Sequence, residues 1–527
     1  MPEENRKERP EIIEYERIPV PEDKTKPFKT FLAIFSSEHV AATELLIGSL
    51  FIASGCTAFD VFVGLLIGNT LAVLSWTFVT APIAVKKRLT LYYQIEKIGG
   101  ARLVDIYNLA NGTLWCFIGA AMIYVSATAV CVPFKIQMPT LEDKLPNTFG
   151  LVVIVFAVGA VISYIAAKGY DAIARFAEVS APWMILMFIL LGIAAMPGLG
   201  IHSPADFWDK AQNVIWKGGE PVAGHTKFTI WHVIFFSWFG NIAWHLGMGD
   251  LTLFRYAKKY TYGFASTTGM YLGHYVAWIA CGLFYAAQIT TNPKNTGISP
   301  GPMAYDIGGI AGILLVLFSG WTTANPVIYR AGLAFQSLRP KWSRFRVTLI
   351  AGLVATFLAI FPALCNDFLT VAALYGLILM PMGAVIFIDF YLLKRLGMSE
   401  FYAEKAGLSF YAPPLLAWLV SLAACLFLNI VFKVEVFFLA LPGWFIAAFL
   451  YIILSKIGQN RERALAFVCK HYRLFVASSI LSIIVLVITA LMYFFDKINF
   501  QNAKIWLLIG TIGWFATAPF WMTEKGK

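Results

Sequence analysis

The 527 residues are 59% hydrophobic and 13% charged, with a mean hydropathy of +0.70. Soluble globular chains carry roughly a quarter of their residues as charges, so this composition excludes a soluble protein and points to an all-α polytopic membrane protein. The net charge of +11 does not point to nucleic acid, because the basic residues are divided among short segments and not gathered on one face. The seven cysteines are scattered through apolar runs without a CxxC pair and read as small core residues.

Residues 1–36 form a polar N-terminal tail with no apolar signal-peptide core, expected to be disordered until it meets the membrane. Fourteen apolar runs follow. Spans 1 to 5 are placed at 38–57, 60–84, 104–133, 149–168 and 172–196. A polar loop at 197–228 separates them from spans 6 to 10, at 230–254, 262–288, 306–331, 346–364 and 367–393. Spans 11 to 14 are placed at 412–432, 435–455, 474–495 and 503–522. An even number puts both termini on one side, and that side collects most of the 41 Lys and Arg, which assigns it to the cytoplasm of a plasma-membrane protein. The basic stretch 455–473 reads either as a plain cytoplasmic loop or as a segment lying on anionic headgroups.

Within span 8, the stretch LVLFSGWTTANPVIYRAGLAF at 315–335 places Ser319, Thr322 and Thr323 at i, i+3, i+4 spacing, on one helix face. An unpaired polar group in hydrocarbon is costly. Three such hydroxyls suit either a small hard cation or bonds to their own helix carbonyls and to a neighbouring helix. Two other spans carry glycines where a membrane helix can unwind: ELLIGSLFIASGC in span 1, with Gly48 and Gly55, and GNIAWHLGMGD in span 6, with Gly240, Gly247 and Gly249. These are the first spans of two five-span halves.

Several segments resemble the nucleobase:cation symporter family, in order along 38–395. SLFIASGCTAFDVFVGLLIGNTLAV resembles its spans 1–2, and ARFAEVSAPWMILMFILLG its span 5. FGNIAWHLGMGDLTLFRYAKK resembles span 6, WTTANPVIYRAGLAF span 8, and DFLTVAALYGLILMPMGAVIFIDFYLLKR span 10. The resemblance implies two inverted five-helix repeats, the LeuT-like fold of the amino-acid–polyamine–cation superfamily, with a first repeat at 37–196, an extracytoplasmic loop at 197–228, a second repeat at 229–395 and C-terminal spans over 396–527. It implies uptake of a cytosine-, purine-, uracil- or allantoin-like heterocycle, coupled to sodium or protons, with no other cofactor. Carried over by position, Ser319, Thr322 and Thr323 fall at the family's sodium site, and Trp115 at the aromatic position of span 3. Trp238 and Trp244 are alternatives for the span 6 aromatic, with Asn241 between them. Asn325 is placed to meet a base edge, and Gly119 stands where the family often has glutamine.

Glu44 lies inside span 1, a few residues before Gly48. An intramembrane carboxylate is a candidate proton or coupling site, or a partner for a cation such as His245; the alternative is that span 1 starts later and Glu44 sits among headgroups. Arg330 is expected at the cytoplasmic end of span 8, snorkelling, and Asp389 at the cytoplasmic end of span 10. The expected partners are a small solute and the lipid bilayer, with oligomeric state open. The sequence holds no HExxH or GxSxG, so a membrane enzyme is not expected. A sensor that keeps the transporter fold without transporting, or a transporter of another small solute such as an amino acid, remains open.

Overall fold

The computed structural model describes residues 14–139, 145–240, 244–366, 368–495 and 497–522. Among them every regular element is a helix. Hydrocarbon offers backbone amides no water, and a helix satisfies them internally, so apolar runs of this length fold this way. Ten helices are long and apolar enough to cross a membrane, and an eleventh span is the bent pair α1 (Phe28–His39) and α2 (Glu44–Ala53). The others in the first two-thirds of the chain are α3 (Ala58–Lys87), α4 (Ala101–Cys131), α5 (Phe149–Lys168), α6 (Tyr170–Ala195), the shorter α7 (Ile230–Phe239) with α8 (Leu251–Phe254), α9 (Tyr260–Thr291), α10 (Pro300–Leu338) and α11 (Arg344–Leu358). Then come α12 (Phe368–Tyr391), α13 (Ala412–Phe432), α14 (Ala440–Gly458), α15 (Arg461–Phe494) and α16 (Phe500–Met522). Each of the fourteen apolar runs thus holds helix. Large apolar side chains such as Leu66, Val153 and Phe357 stay exposed on the outer faces, as lipid contact requires.

The chain forms two compact units, 1–93, 107–245 and 249–372 in the first, and 94–106, 246–248 and 373–527 in the second. In the first, α3 packs on α7, α2 on α9, α5 on α11, and α10 on both α6 and α11. In the second, α13 packs on α14 and α15 on α16. There Asp389 is buried and accepts from the Phe401 amide at 3.2 Å and the Tyr451 hydroxyl at 3.2 Å, which fixes the turn after α12.

Span 1 differs from expectation in two ways. It begins at Phe28, inside the stretch assigned to the tail, and residues 14–27 are built into the protein, with Glu14 and Val20 buried. Its break falls at 40–43, with a bend of 49°, and not at Gly48 or Gly55. Gly48 is helical and serves close packing: a Cβ there would lie 2.3 Å from the Trp278 carbonyl oxygen of α9. Span 6 breaks where its glycines are, between Phe239 and Leu251, although the left-handed residue is Met248, with φ of 65°. Two π-helical turns, Trp76–Thr80 in α3 and Thr268–Tyr275 in α9, also distort the regular ladder, a feature frequent at functional sites.

Candidate functional site

Both breaks converge on α10. Glu38 lies in the last turn of the first half of span 1, and Asp250 immediately precedes α8, the second half of span 6. Arg330 of α10 is fully buried and donates to both: Nη1 to Glu38 Oε1 at 2.7 Å, and Nη2 to Asp250 Oδ1 at 2.5 Å. The other Asp250 oxygen accepts from Trp76 Nε1 at 2.5 Å, in the π-helical turn of α3. One guanidinium therefore ties the two broken helices to α10. Arg330 does not snorkel at a helix end as the sequence suggested. The reason is that α10 runs on to Leu338, so Arg330 lies two turns inside it.

The aromatic residues surround this cation. Trp115 and Trp244 meet edge to face, with centroids 5.2 Å apart and planes at 82°. The Arg330 guanidinium carbon lies 5.3 Å from the Trp115 ring centre and 5.7 Å from that of Trp244, within cation–π range. Trp238 points elsewhere: its Nε1 donates to Ser75 Oγ at 3.0 Å, and its ring stacks on Phe239. Of the two span 6 tryptophans, Trp244 is the one beside Trp115. Asn241 lies outside the described residues. A ring stacked between two parallel aromatic planes needs a gap of about 7 Å, two carbon contacts of about 3.5 Å. The edge-to-face pair leaves no such gap in this conformation.

Gly119 is on the same helix as Trp115, but a Cβ there would meet Ile328 at 3.2 Å and Val327 and Ala355 at 3.6 Å. It is a helix-packing position against α10 and α11. Asn325 is fully buried, and neither of its side-chain polar atoms has a hydrogen-bond partner among the described residues. A buried amide in that state is costly and invites a ligand or water.

The hydroxyl face of α10 bonds both to its own helix carbonyls and to a neighbouring helix. Ser319 Oγ donates to Val316 O at 3.2 Å, and the Thr322 and Thr323 hydroxyls each donate to Ser319 O at 3.1 Å. Thr323 Oγ1 also reaches Glu38 O at 3.3 Å, across to the end of α1. Carbonyls in a helix's last turn lack intrahelical partners and carry the negative end of its dipole. Glu38 O, Ser319 O and the two threonine hydroxyls therefore gather oxygens of the kind a hard cation takes. Among the described residues no group of three or more His, Cys, Asp or Glu is arranged to hold a metal ion.

A second buried group lies just beyond the span 1 break. Glu44 heads α2 and is 3% exposed, enclosed by protein. Its carboxylate accepts from Trp278 Nε1, and His274 Nε2 lies 4.0 Å from its other oxygen. His245 is not its partner: His245 Nε2 bonds the Trp238 carbonyl at 2.9 Å, and its ring packs 4.6 Å from Trp76. His39 stands between, 5.2 Å from His274 and 5.4 Å from Trp76, ring centre to ring centre. Sequence reading missed Glu38, Asp250 and His39. Their signal was charge beside an apolar run, next to a helix break.

No protein-family model matches the sequence, and no curated protein matches it. Solved structures do match in fold. Mhp1, a nucleobase-cation-symport-1 family transporter in a closed conformation with bromovinylhydantoin bound, aligns over 84% of this chain and 94% of its own, at TM-score 0.64 and 17% identity. Its inward-facing conformation aligns over 83% and 92%, at TM-score 0.60 and 15% identity. A Na+-coupled sialic acid symporter in a substrate-bound outward-open state aligns over 82% and 90%, at TM-score 0.58 and 14% identity. The chain is thus an all-α, multi-pass membrane protein with the LeuT-like fold of two inverted five-helix repeats, followed by about four C-terminal helices.

Proposed function

We propose that this protein is a secondary active transporter that carries a nucleobase or related small heterocycle across the plasma membrane with a coupled cation, by alternating access. The observation that carries the reading is the meeting of both helix breaks at one polar, aromatic centre formed by Arg330, Glu38, Asp250, Trp115 and Trp244. Half-helix ends at the midplane are where transporters of this architecture hold substrate and ion. The planar solute stacks between Trp115 and Trp244 once Trp244 turns out of its edge-on pose, and the Asn325 amide supplies a hydrogen-bonding edge. Sodium lies between Glu38 O and the Ser319, Thr322 and Thr323 oxygens. If the coupling ion is instead a proton, Glu44, with His274 facing it, is the site that carries it.

Uptake of labelled cytosine, uracil, adenine and allantoin into proteoliposomes, with and without a sodium gradient and with and without a pH gradient, tests this. Sodium-stimulated uptake that Thr323→Ala weakens supports the sodium site. Uptake that ignores sodium, follows the pH gradient and loses its pH dependence in Glu44→Gln moves the coupling to Glu44. Binding of one of these compounds without uptake would replace the transporter with a sensor on the same fold. Neither binding nor uptake would turn the search to other small solutes, amino acids first.

A further inference from the structure

Residues 14–26, ahead of α1, are threaded into one face of the first unit. The Arg255 guanidinium, just after α8, donates to the Tyr15 carbonyl at 2.5 Å and the Glu14 carbonyl at 2.6 Å. Tyr15 has a φ of 51°, a left-handed conformation rare for a residue with a side chain and kept only where the surroundings over-determine it. It brings two successive carbonyls onto one guanidinium. The Glu14 carboxylate is equally well held. It accepts from the Tyr329 hydroxyl of α10 at 3.0 Å, the Tyr256 hydroxyl at 3.3 Å and the Tyr170 amide of α6 at 3.3 Å, and Arg344 of α11 lies 3.9 Å away. Gly169 makes room, since a Cβ there would fall 2.0 Å from Glu14 Oε1. Further along, Arg17 bonds the Ser337 carbonyl, the Glu16 carbonyl accepts from Thr90, and the Val20 amide bonds the Arg88 carbonyl.

These partners come from two sets of elements. Arg255 and Tyr256 follow α8, the second half of broken span 6. Tyr170, Tyr329 and Arg344 belong to α6, α10 and α11. Alternating access in this architecture moves one set of helices against the other about the central site. A carboxylate held by both sets cannot keep all its bonds through such a movement. We propose that residues 14–26 are a strap that locks this face shut, with Glu14 as its latch, and that the strap must leave its seat before the face can open. Calling the seal a gate rests on the transport reading; the seal itself does not.

Hydrogen–deuterium exchange on the full-length protein in lipid nanodiscs tests the strap without any substrate. In Glu14→Gln, amides of 249–257 and 326–338 should exchange at least tenfold faster than in wild type, while those of 44–54, beyond the break in span 1, should not change. Tyr329→Phe removes one latch donor and should act in the same direction; it decides the matter if Glu14→Gln does not fold. Unchanged exchange at 249–257 would overturn the proposal. Equal acceleration at 44–54 would overturn it too, because the segment would then be ordinary packing whose loss loosens the whole unit. If none of the four heterocycles is taken up while the exchange contrast holds, it is the heterocycle reading that fails and the strap that stands.

Discussion

Arg330 is the residue on which the site depends. A buried ion pair is often no more stable than an apolar replacement, yet removing one partner costs about 3–5 kcal/mol because the other charge is left alone. Arg330→Gln would leave Glu38 and Asp250 buried without their shared cation. We expect a thermal midpoint many degrees below wild type and no uptake. The triple change Glu38→Gln, Arg330→Gln, Asp250→Asn should recover most of the midpoint but not the uptake; a single Arg330→Gln midpoint equal to wild type would show the cation to be idle. The tryptophans give a second prediction. Stacking a base on an aromatic ring contributes on the order of 1–3 kcal/mol, and about 1.4 kcal/mol is tenfold in affinity. Trp244→Ala should therefore weaken binding of a transported heterocycle roughly tenfold, and Trp238→Ala should barely change it, because Trp238 is turned to Ser75. Equal losses, measured as dissociation constants, would argue against Trp244 as the site aromatic. Residue types were legible in the sequence here, and their phase was not. Past a helix break the 3.6-residue period restarts at an angle set by tertiary contacts, so nothing in SWFGNIAWHLGMGD says which tryptophan faces Trp115. Arg330, likewise, looks terminal in the sequence because the apolar run of span 8 ends at residue 331.

At the scale of elements, the helices themselves were readable and their breaks only half so. Span 6 breaks among its glycines. Span 1 breaks at Val40, Ala41, Ala42 and Thr43, residues with no unusual backbone freedom, because Arg330 and Thr323 hold the end of α1 from outside. Glycine content reports tolerance of unwinding, while tertiary polar contacts decide where it happens. Two glycines separate these roles. Gly309 interrupts α10 with a φ of 55°, and nothing lies within 4 Å of where its Cβ would be. Gly309→Ala thus meets no neighbouring atom, only the backbone cost of holding a side chain at φ 55° and ψ −134°, a region essentially reserved for glycine, on the order of 1–3 kcal/mol. Gly48→Ala instead drives a Cβ into the main-chain oxygen of Trp278, which no side-chain rotation relieves. The Gly309 variant should fold with a modestly lower midpoint and keep uptake. The Gly48 variant should part α2 from α9, disturb the Glu44–Trp278 contact and lose far more stability. The reverse order of the two midpoints would show that α10 needs its kink more than α2 needs its close approach.

For the whole molecule the testable quantity is parity. The apolar runs number fourteen, and among the described residues eleven are long enough to cross by length and composition, counting α1 and α2 as one span. The other three crossings rest on the short helices α7 with α8 and α11, and on α16, whose 23 residues include the apolar stretch Ile505–Trp514. Each of the three therefore decides on which side the C-terminus lies. Charge supports an even total. Lys86, Lys87 and Arg88 follow α3, Lys258 and Lys259 follow α8, and Lys394 and Arg395 follow α12, all on one side if every run crosses. Arg330, buried at the site, is not one of them, and the bias holds without it. Reporters that are active only in the cytoplasm, fused at either terminus, should both be active. A truncation after Gly458 removes α15 and α16 together and should leave its new C-terminal reporter active. Opposite sides for the two full-length termini would mean that an odd number of these three crossings fails. An active reporter on the truncation alone would place the failure in α16, and an inactive one would place it in α7–α8 or α11.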